Sequence, residues 1–356
     1  MLNVRNNSHP ILIENNFNDC FGIDSYDFKN KKVLIVSQEN IATLYFKDLE
    51  NIIVALGGQC FLFLIENGES GKDYSVFDSL IEFAILSNLN KQDVLVALGG
   101  GVVGDIAGFC ASSLYRGVDF LQIPTTLLSQ IDSAIGGKNA VNYNGYKNII
   151  GSIYQPKYVF IYLSLLDTLP DKMYFSAFSE IVKYALILEP SFLSYIETHL
   201  DSIISKNKMV LYNIVYKSCS IKVSIVQQDE YDKGIRNYLN LGHTFGHAME
   251  TFSYLNNDEP ILHGEAVAIG IILSLRLSVL RGYISSELLT RIKLLFLRLG
   301  LPINIPKNMS YVHFMNYMKK DKKKTKQINF VVLTDLGVAT LLTDVSAFEL
   351  QQILLT

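Results

Sequence analysis

Residues 93–109 read DVLVALGGGVVGDIAGF. An apolar run of strand character passes without a break into Gly99-Gly100-Gly101-Val102-Val103-Gly104, and the apolar stretch that follows has helical length and spacing. A strand delivering the chain to a glycine turn that opens a helix is the βα unit of nucleotide-binding sheets. Glycines let the backbone approach a ligand closely, and the first N–H groups of the helix point at an anion such as a pyrophosphate. Gly99, Gly101 and Gly104 satisfy G-x-G-x-x-G. The acidic partner for an adenosine ribose, expected roughly 20 residues further on, is missing.

Working outward, similar short apolar runs follow Lys32, Cys60, Val118 and Tyr158, and stretches of helical length such as Tyr74 to Leu89 lie between several of them. Strands alternating with helices predict βαβ units on a parallel sheet. After about Leu165 the pattern changes to apolar residues at i, i+3 and i+4 over Ser176 to Leu188, Tyr212 to Val226, His243 to Phe252, Gly264 to Leu280 and Leu288 to Leu299. The expected architecture is an α/β Rossmann-like domain over 1–165 and a mainly α-helical domain over 166–356.

Composition restricts the function. The chain has 356 residues, 49% hydrophobic and 18% charged, with 31 basic against 34 acidic side chains. That length allows two domains with cores of their own. A net charge of −3 leaves no chain-wide basic footprint for nucleic acid or an anionic membrane. Cys20, Cys60, Cys110 and Cys219 are far apart and contain no C-x-x-C, which argues against a disulfide framework or a thiolate zinc site and for a reducing, cytoplasmic setting. The N-terminus has no apolar run behind a basic start, and no stretch reads as a membrane span.

Two clusters carry chemistry. Between Thr125 and Asn148 lie Asp132, Ser133, Gly136-Gly137-Lys138 and Lys147-Asn148, where lysines beside glycine-rich backbone suit a phosphate or carboxylate ligand. The chain has six histidines, and His243, His247 and His263 fall close together. His243 and His247, at i and i+4, can share one face of a helix and meet one zinc ion. Glu180 is the carboxylate expected to complete the site. It sits one turn from Lys183 in an otherwise apolar helix, so the competing reading is a local ion pair. A basic run, Lys319 to Lys326, reads as a solvated loop, and Ile328-Asn-Phe-Val-Val-Leu after it as a short strand or hairpin.

Taken together these motifs resemble the 3-dehydroquinate synthase family, over nearly the whole chain. The family's turn G-E-x-x-K is Gly68-Glu69-Ser-Gly-Lys72. Its glycine element is Gly99 to Phe109, with Arg116 following. Its P-T-T-L-L-x-Q-x-D-S-x-x-G-G-K stretch is Pro124 to Lys138, and its G-K-N element ends here as Lys147-Asn148. Then come Thr168-Leu-Pro, Glu180-Ile-Val-Lys183, Lys222, Arg236 to His247, and His263-Gly-Glu.

The resemblance implies Glu180, His243 and His263 as ligands of Zn2+ or Co2+, with His247 handling protons instead of binding metal. It assigns Glu69, Lys72, Gly101, Val102, Asp105, Thr125, Thr126, Lys138, Lys147 and Thr168 to NAD. Asp132, Lys138, Asn148, Lys183, Lys222, Arg236, Asn240, His247 and, in Asp321-Lys322-Lys323, Lys322 are assigned to a substrate carrying a carboxylate and a phosphate. Arg116 is implied to reach the substrate of a partner subunit, hence a homodimer. The implied reaction takes 3-deoxy-D-arabino-heptulosonate 7-phosphate to 3-dehydroquinate and phosphate, a lyase step of the shikimate pathway and aromatic amino acid biosynthesis that returns its NAD unchanged. Gln38, Asp232, Ala177 and Asn139 depart from the family pattern, and Ser253-Tyr-Leu-Asn-Asn-Asp-Glu-Pro lengthens the loop before His263.

Neighbouring readings are an aminodehydroquinate, deoxy-scyllo-inosose or valiolone synthase, and a metal-dependent alcohol or glycerol dehydrogenase. Gly136-Gly137-Lys138 with Asp132 favours the dehydroquinate type. A dehydrogenase acting on a neutral substrate has no use for Lys138, Lys147, Lys183, Lys222 and Arg236. A non-catalytic binding protein on an enzyme fold would not need all three metal ligands.

Overall fold

The computed structural model describes residues 4–6, 9–17, 22–256, 261–321 and 328–355. The chain divides into two compact units, Met1–Leu169 with Leu211–Gln227, and Pro170–Val210 with Gln228–Thr356. The first break falls between Leu169 and Pro170. The second unit is not contiguous, because Leu211–Gln227 clusters with the N-terminal unit. An apolar helical pattern tells that a segment is packed, not which neighbour it packs on.

The first unit is built on strands β1 (Val4–Asn6), β2 (His9–Glu14), β3 (Lys32–Gln38), β4 (Gln59–Ile65), β5 (Val94–Gly99), β6 (Asp119–Pro124), β7 (Lys138–Tyr143), β8 (Tyr146–Ile153) and β9 (Tyr158–Tyr162). Seven of them form one sheet in the order β1-β2-β9-β6-β5-β3-β4, in which only the β1–β2 pairing is antiparallel. Strand β5 is buried along its length. Both faces of the central strands are covered, so their sequences read as unbroken apolar runs. The two-residue period still divides them: Leu34, Val36, Leu95 and Ala97 join one core with Val103, Ile106 and Ala107, while Val33, Ile35, Val94, Val96 and Leu98 join the other with Leu49 and Ile53.

Strands β7 and β8 pair antiparallel as a separate hairpin. Its turn is Asn144-Gly145, with φ 49° and 79°, the positive values that a two-residue primed turn requires. The sequence reading treated this stretch only as a ligand-binding cluster.

The second unit is mainly helical, with helices Phe178–Leu188, His243–Leu255 and His263–Leu280 placing the candidate ligands, and one antiparallel hairpin, β10 (Phe330–Asp335) and β11 (Val338–Leu342). The expected Ser176–Leu188 helix is broken at Ala177, between Asp171–Ser176 and Phe178–Leu188. The helix Tyr311–Asp321 takes in the start of the basic run, where the sequence predicts a loop. Lys208–Gln228 and His263–Leu280 have the length and hydropathy of membrane spans, which the sequence reading did not expect, but most of their residues are buried within the protein. Core helices pass the same test.

Candidate active site

In the first unit, the helix Gly101–Ser113 starts directly behind the glycine turn, with Gly104 N–H donating to Gly100 O at 3.0 Å. Lys72 is buried and ion-pairs with Asp105 on that helix. Burial pushes the Asp105 carboxyl above the usual range, and Lys72 partly opposes this. Lys72 Nζ also donates to Asn148 Oδ1 at 2.5 Å. Glu69 accepts from Asn142 Nδ2 at 2.8 Å. Thr125 Oγ1 is buried with no hydrogen-bond partner among the described residues. The Thr126 hydroxyl lies 2.8 Å from that of Ser129, and Thr168 Oγ1 lies 2.5 Å from the Tyr45 hydroxyl. Asp132, in the turn Ser129–Ser133, ion-pairs with Lys222.

Val102 is half-buried, and Arg116, Lys138 and Lys147 are exposed. Arg116 has φ 62°, and Tyr115 before it φ 50°. Two consecutive left-handed side-chain-bearing residues are strained, and such strain gathers at functional sites. Two of the departures from the family pattern have local explanations. Gln38 Nε2 donates to Glu66 O at 3.0 Å, and Asn139 is buried with Nδ2 donating to Gly137 O at 2.8 Å and Tyr154 O at 2.9 Å. Asn139 ties the base of the β7–β8 hairpin.

In the second unit, Glu180, His243 and His263 each offer a ligand atom, all within 4.8 Å of one another. His243 Nε2 lies 3.3 Å and His263 Nε2 3.5 Å from Glu180 Oε1. Ligands 2.0–2.1 Å from a tetrahedral zinc sit about 3.3 Å apart, so the spacing suits a metal. Glu180 is 1% exposed, and neither of its oxygens has a hydrogen-bond partner among the described residues. Burial pushes its carboxyl up, but Lys183, which ion-pairs with it, and the two histidines outweigh this and hold it well below the usual range. The local ion pair and the metal site are therefore not exclusive.

Burial, with Lys183 nearby, pushes His243 down to about 3, leaving it in the neutral form that ligates. At His263 burial acts the same way, but Glu180 and Glu250 overcome it and lift the ring to about 10. An ionised Glu180, a neutral His243 and a His263 flanked by two carboxylates converge within 4.8 Å, a donor set that fits a divalent cation.

His247 is exposed and outside this group, with its ring centre 5.4 Å from that of His243 and 6.3 Å from that of His263. The donor atoms that converge are therefore those of Glu180, His243 and His263, and not the i, i+4 histidine pair. Glu250, which the sequence reading missed, lies 3.4 Å from His263 Nδ1. A carboxylate there fixes the tautomer that leaves Nε2 free to ligate. Its signal was present, since Glu250 follows His243 by seven residues and His247 by three, on one helical face.

Local packing explains the convergence. Gly242, at φ 81°, starts the His243 helix, and a Cβ on Gly270 would fall 2.0 Å from Gly242 O. A Cβ on Gly264 would fall 1.9 Å from Ser176 O. These close approaches seat the His263 helix against the Glu180 segment and the His243 turn. Arg236 is buried, with Nη1 donating to Glu230 O at 2.7 Å, while Asn240 is exposed. Asp229 accepts backbone N–H groups from Lys233, Gly234 and Arg236, which hold its carboxyl below the usual range. Asp232 adopts φ 57° in that loop. Lys322 and part of the lengthened loop before His263 lie outside the described residues.

The family models for the 3-dehydroquinate synthase N-terminal and C-terminal regions match residues 62–176 and 177–324. The chain belongs to the 3-dehydroquinate synthase family. A 3-dehydroquinate synthase of Vibrio atlanticus (strain LGP32) is 38% identical over 345 residues, covering 97% of this chain and 94% of the relative. One of Shewanella sp. (strain MR-4) is 39% identical over 349 residues, covering 98% and 96%. The fold is shared with a 2-epi-5-epi-valiolone synthase of Streptomyces hygroscopicus solved with NAD+ and Zn2+, at TM-score 0.90 and 23% identity over 100% and 98% of the two chains. It is also shared with a 2-deoxy-scyllo-inosose synthase solved with carbaglucose-6-phosphate, NAD+ and Co2+, at TM-score 0.83 and 22% identity over 97% and 96%. An iron-containing alcohol dehydrogenase superposes at TM-score 0.72 and 16% identity, covering 97% of this chain and 96% of that one. The family's N-terminal and C-terminal models meet between residues 176 and 177, a few residues beyond the break between the compact units.

Proposed function

We propose that this chain is a 3-dehydroquinate synthase, converting 3-deoxy-D-arabino-heptulosonate 7-phosphate to 3-dehydroquinate and phosphate with catalytic NAD and a Zn2+ or Co2+ ion. The observation that carries the reading is the buried Glu180, its oxygens without hydrogen bonds, facing His243 and His263 in a member of this family. When bound, the metal supplies Lewis-acid polarisation of a hydroxyl and NAD a reversible hydride sink.

The first unit is the NAD-binding domain in this reading. Gly101 and Val102 bring backbone close to the dinucleotide, and the orphaned Thr125 hydroxyl gains a partner from it. Glu69, Lys72, Asp105, Thr126, Lys138, Lys147 and Thr168 contribute the other polar contacts. On the substrate, Lys138 and Lys222 meet anionic groups, with Asp132 holding the Lys222 ammonium in place, and Asn148 hydrogen-bonds a hydroxyl. The second unit is the metal- and substrate-binding domain. Glu180, His243 and His263 hold the ion, and Lys183 keeps Glu180 ionised while presenting charge to the ligand. Arg236, Asn240 and Lys322 bind the substrate. The exposed imidazole of His247 accepts and returns a proton at its ring nitrogen. The active species is a cytoplasmic homodimer, in which Arg116 reaches the substrate phosphate of the partner subunit.

Incubating the protein with the heptulosonate phosphate, NAD and zinc or cobalt should release phosphate and dehydroquinate together. Preference for an amino-substituted heptulosonate phosphate would transfer the assignment to an aminodehydroquinate synthase. Net NADH formation from simple alcohols would instead make the protein a dehydrogenase.

A further inference from the structure

In the first unit one side chain joins two groups assigned to different ligands. Asn142 lies in β7, where it forms a bridge with Asp73, directly after the turn Glu69–Lys72. Its Nδ2 donates to Glu69 Oε1 at 2.8 Å, and its Oδ1 accepts the backbone N–H of Asn148 at 2.9 Å. Asn148 adopts φ 53°, a left-handed conformation that asparagine tolerates better than most side-chain-bearing residues, with its backbone N–H tied to Asn142. From there Asn148 Oδ1 receives Lys72 Nζ, which ion-pairs with Asp105. The result is a chain of hydrogen bonds Glu69–Asn142–Asn148–Lys72–Asp105, with Asn142 using its donor on one side and its acceptor on the other. A side-chain amide presents donor and acceptor together in a fixed planar geometry, which a carboxylate cannot do.

We propose that Asn142 is a positioning residue that sets Glu69 for the dinucleotide and Asn148 for the substrate through the two ends of one amide. The inference rests on the reading of this chain as an NAD-dependent cyclase. Removing the amide leaves the Glu69 carboxylate free to rotate and the left-handed Asn148 unsupported, so cofactor affinity and turnover fall together. Exchanging the amide for a carboxylate keeps the acceptor for Asn148 N–H but sets two carboxylates against each other at Glu69.

The test is calorimetric binding of NAD to the full-length protein at pH 8 and pH 6, with kcat and KM measured alongside and thermal melting as the check on folding. N142D should bind NAD about tenfold more weakly at pH 8 and recover most of the loss at pH 6, where one proton can be shared between residue 142 and Glu69. Wild-type affinity should change little between the two. In the E69Q background the same N142D change should cost little NAD affinity at pH 8, because the amide placed at position 69 can donate to the carboxylate placed at position 142, a coupling that loss of packing alone does not produce. N142A should lose NAD affinity and kcat at both pH values. If N142D shows no pH-dependent recovery, or costs as much NAD affinity in the E69Q background as in wild type, the bridge is wrong even where wild type binds NAD normally. If wild type itself binds no NAD, the cofactor reading falls first and takes the bridge with it.

Discussion

Glu180 occupies a helix buried from Phe178 to Ile187, and its oxygens find charge around them but no hydrogen-bond donor of sound geometry. Lys183 puts one positive charge beside this buried carboxylate, and a metal held with His243 and His263 would occupy the lone pairs left without a hydrogen bond. H263A should therefore lose metal and activity together, measured by elemental analysis and turnover on the same preparation. H247A should keep its metal and lose turnover, and equal metal loss in both would restore the i, i+4 pair as ligands. E250A, which removes the carboxylate facing His263 Nδ1, should weaken zinc binding by about 10–100-fold in competition with a chelator. The ligand types were legible in the sequence because histidines are scarce and clustered. Which two of the three converge with Glu180 was not legible from spacing, since His263 arrives on a separate helix.

At the scale of elements, the close contacts of Gly264 with Ser176 O and of Gly270 with Gly242 O set how the His263 helix meets its neighbours. A methyl group at either position must push backbone away. G264A should lower stability by about 1–3 kcal/mol and weaken metal binding beyond what that loss alone explains, read by denaturant unfolding with and without zinc. An unchanged metal affinity would mean that the approach serves packing alone. The central strands could be read from sequence because burial on both faces leaves unbroken apolar runs, whereas β7 and β8 were obscured by their lysines and asparagines. The Asn144-Gly145 dipeptide was the available turn signal there. Leu211–Gln227 shows a different limit: its apolar periodicity marks a helix, while its membership in the first unit depends on contacts distant in sequence.

For the whole molecule, the two-domain α/β and helical plan was legible from the change of hydrophobic period near residue 165. Assembly is tested by complementation. If Arg116 serves the partner's site, mixing inactive R116A with inactive K183A under subunit exchange should regain about a quarter of wild-type activity, because half the dimers become mixed and each has one intact site. An arginine acting within its own chain would give no recovery. The account as a whole rests on NAD being borrowed and returned. The measurement that tests it most directly is phosphate release from the heptulosonate phosphate at NAD far below the substrate concentration, with absorbance of NADH followed in the same cuvette. The account predicts many phosphates and dehydroquinates per NAD with no build-up of NADH. Release that stops after one equivalent of NAD while NADH accumulates would contradict it.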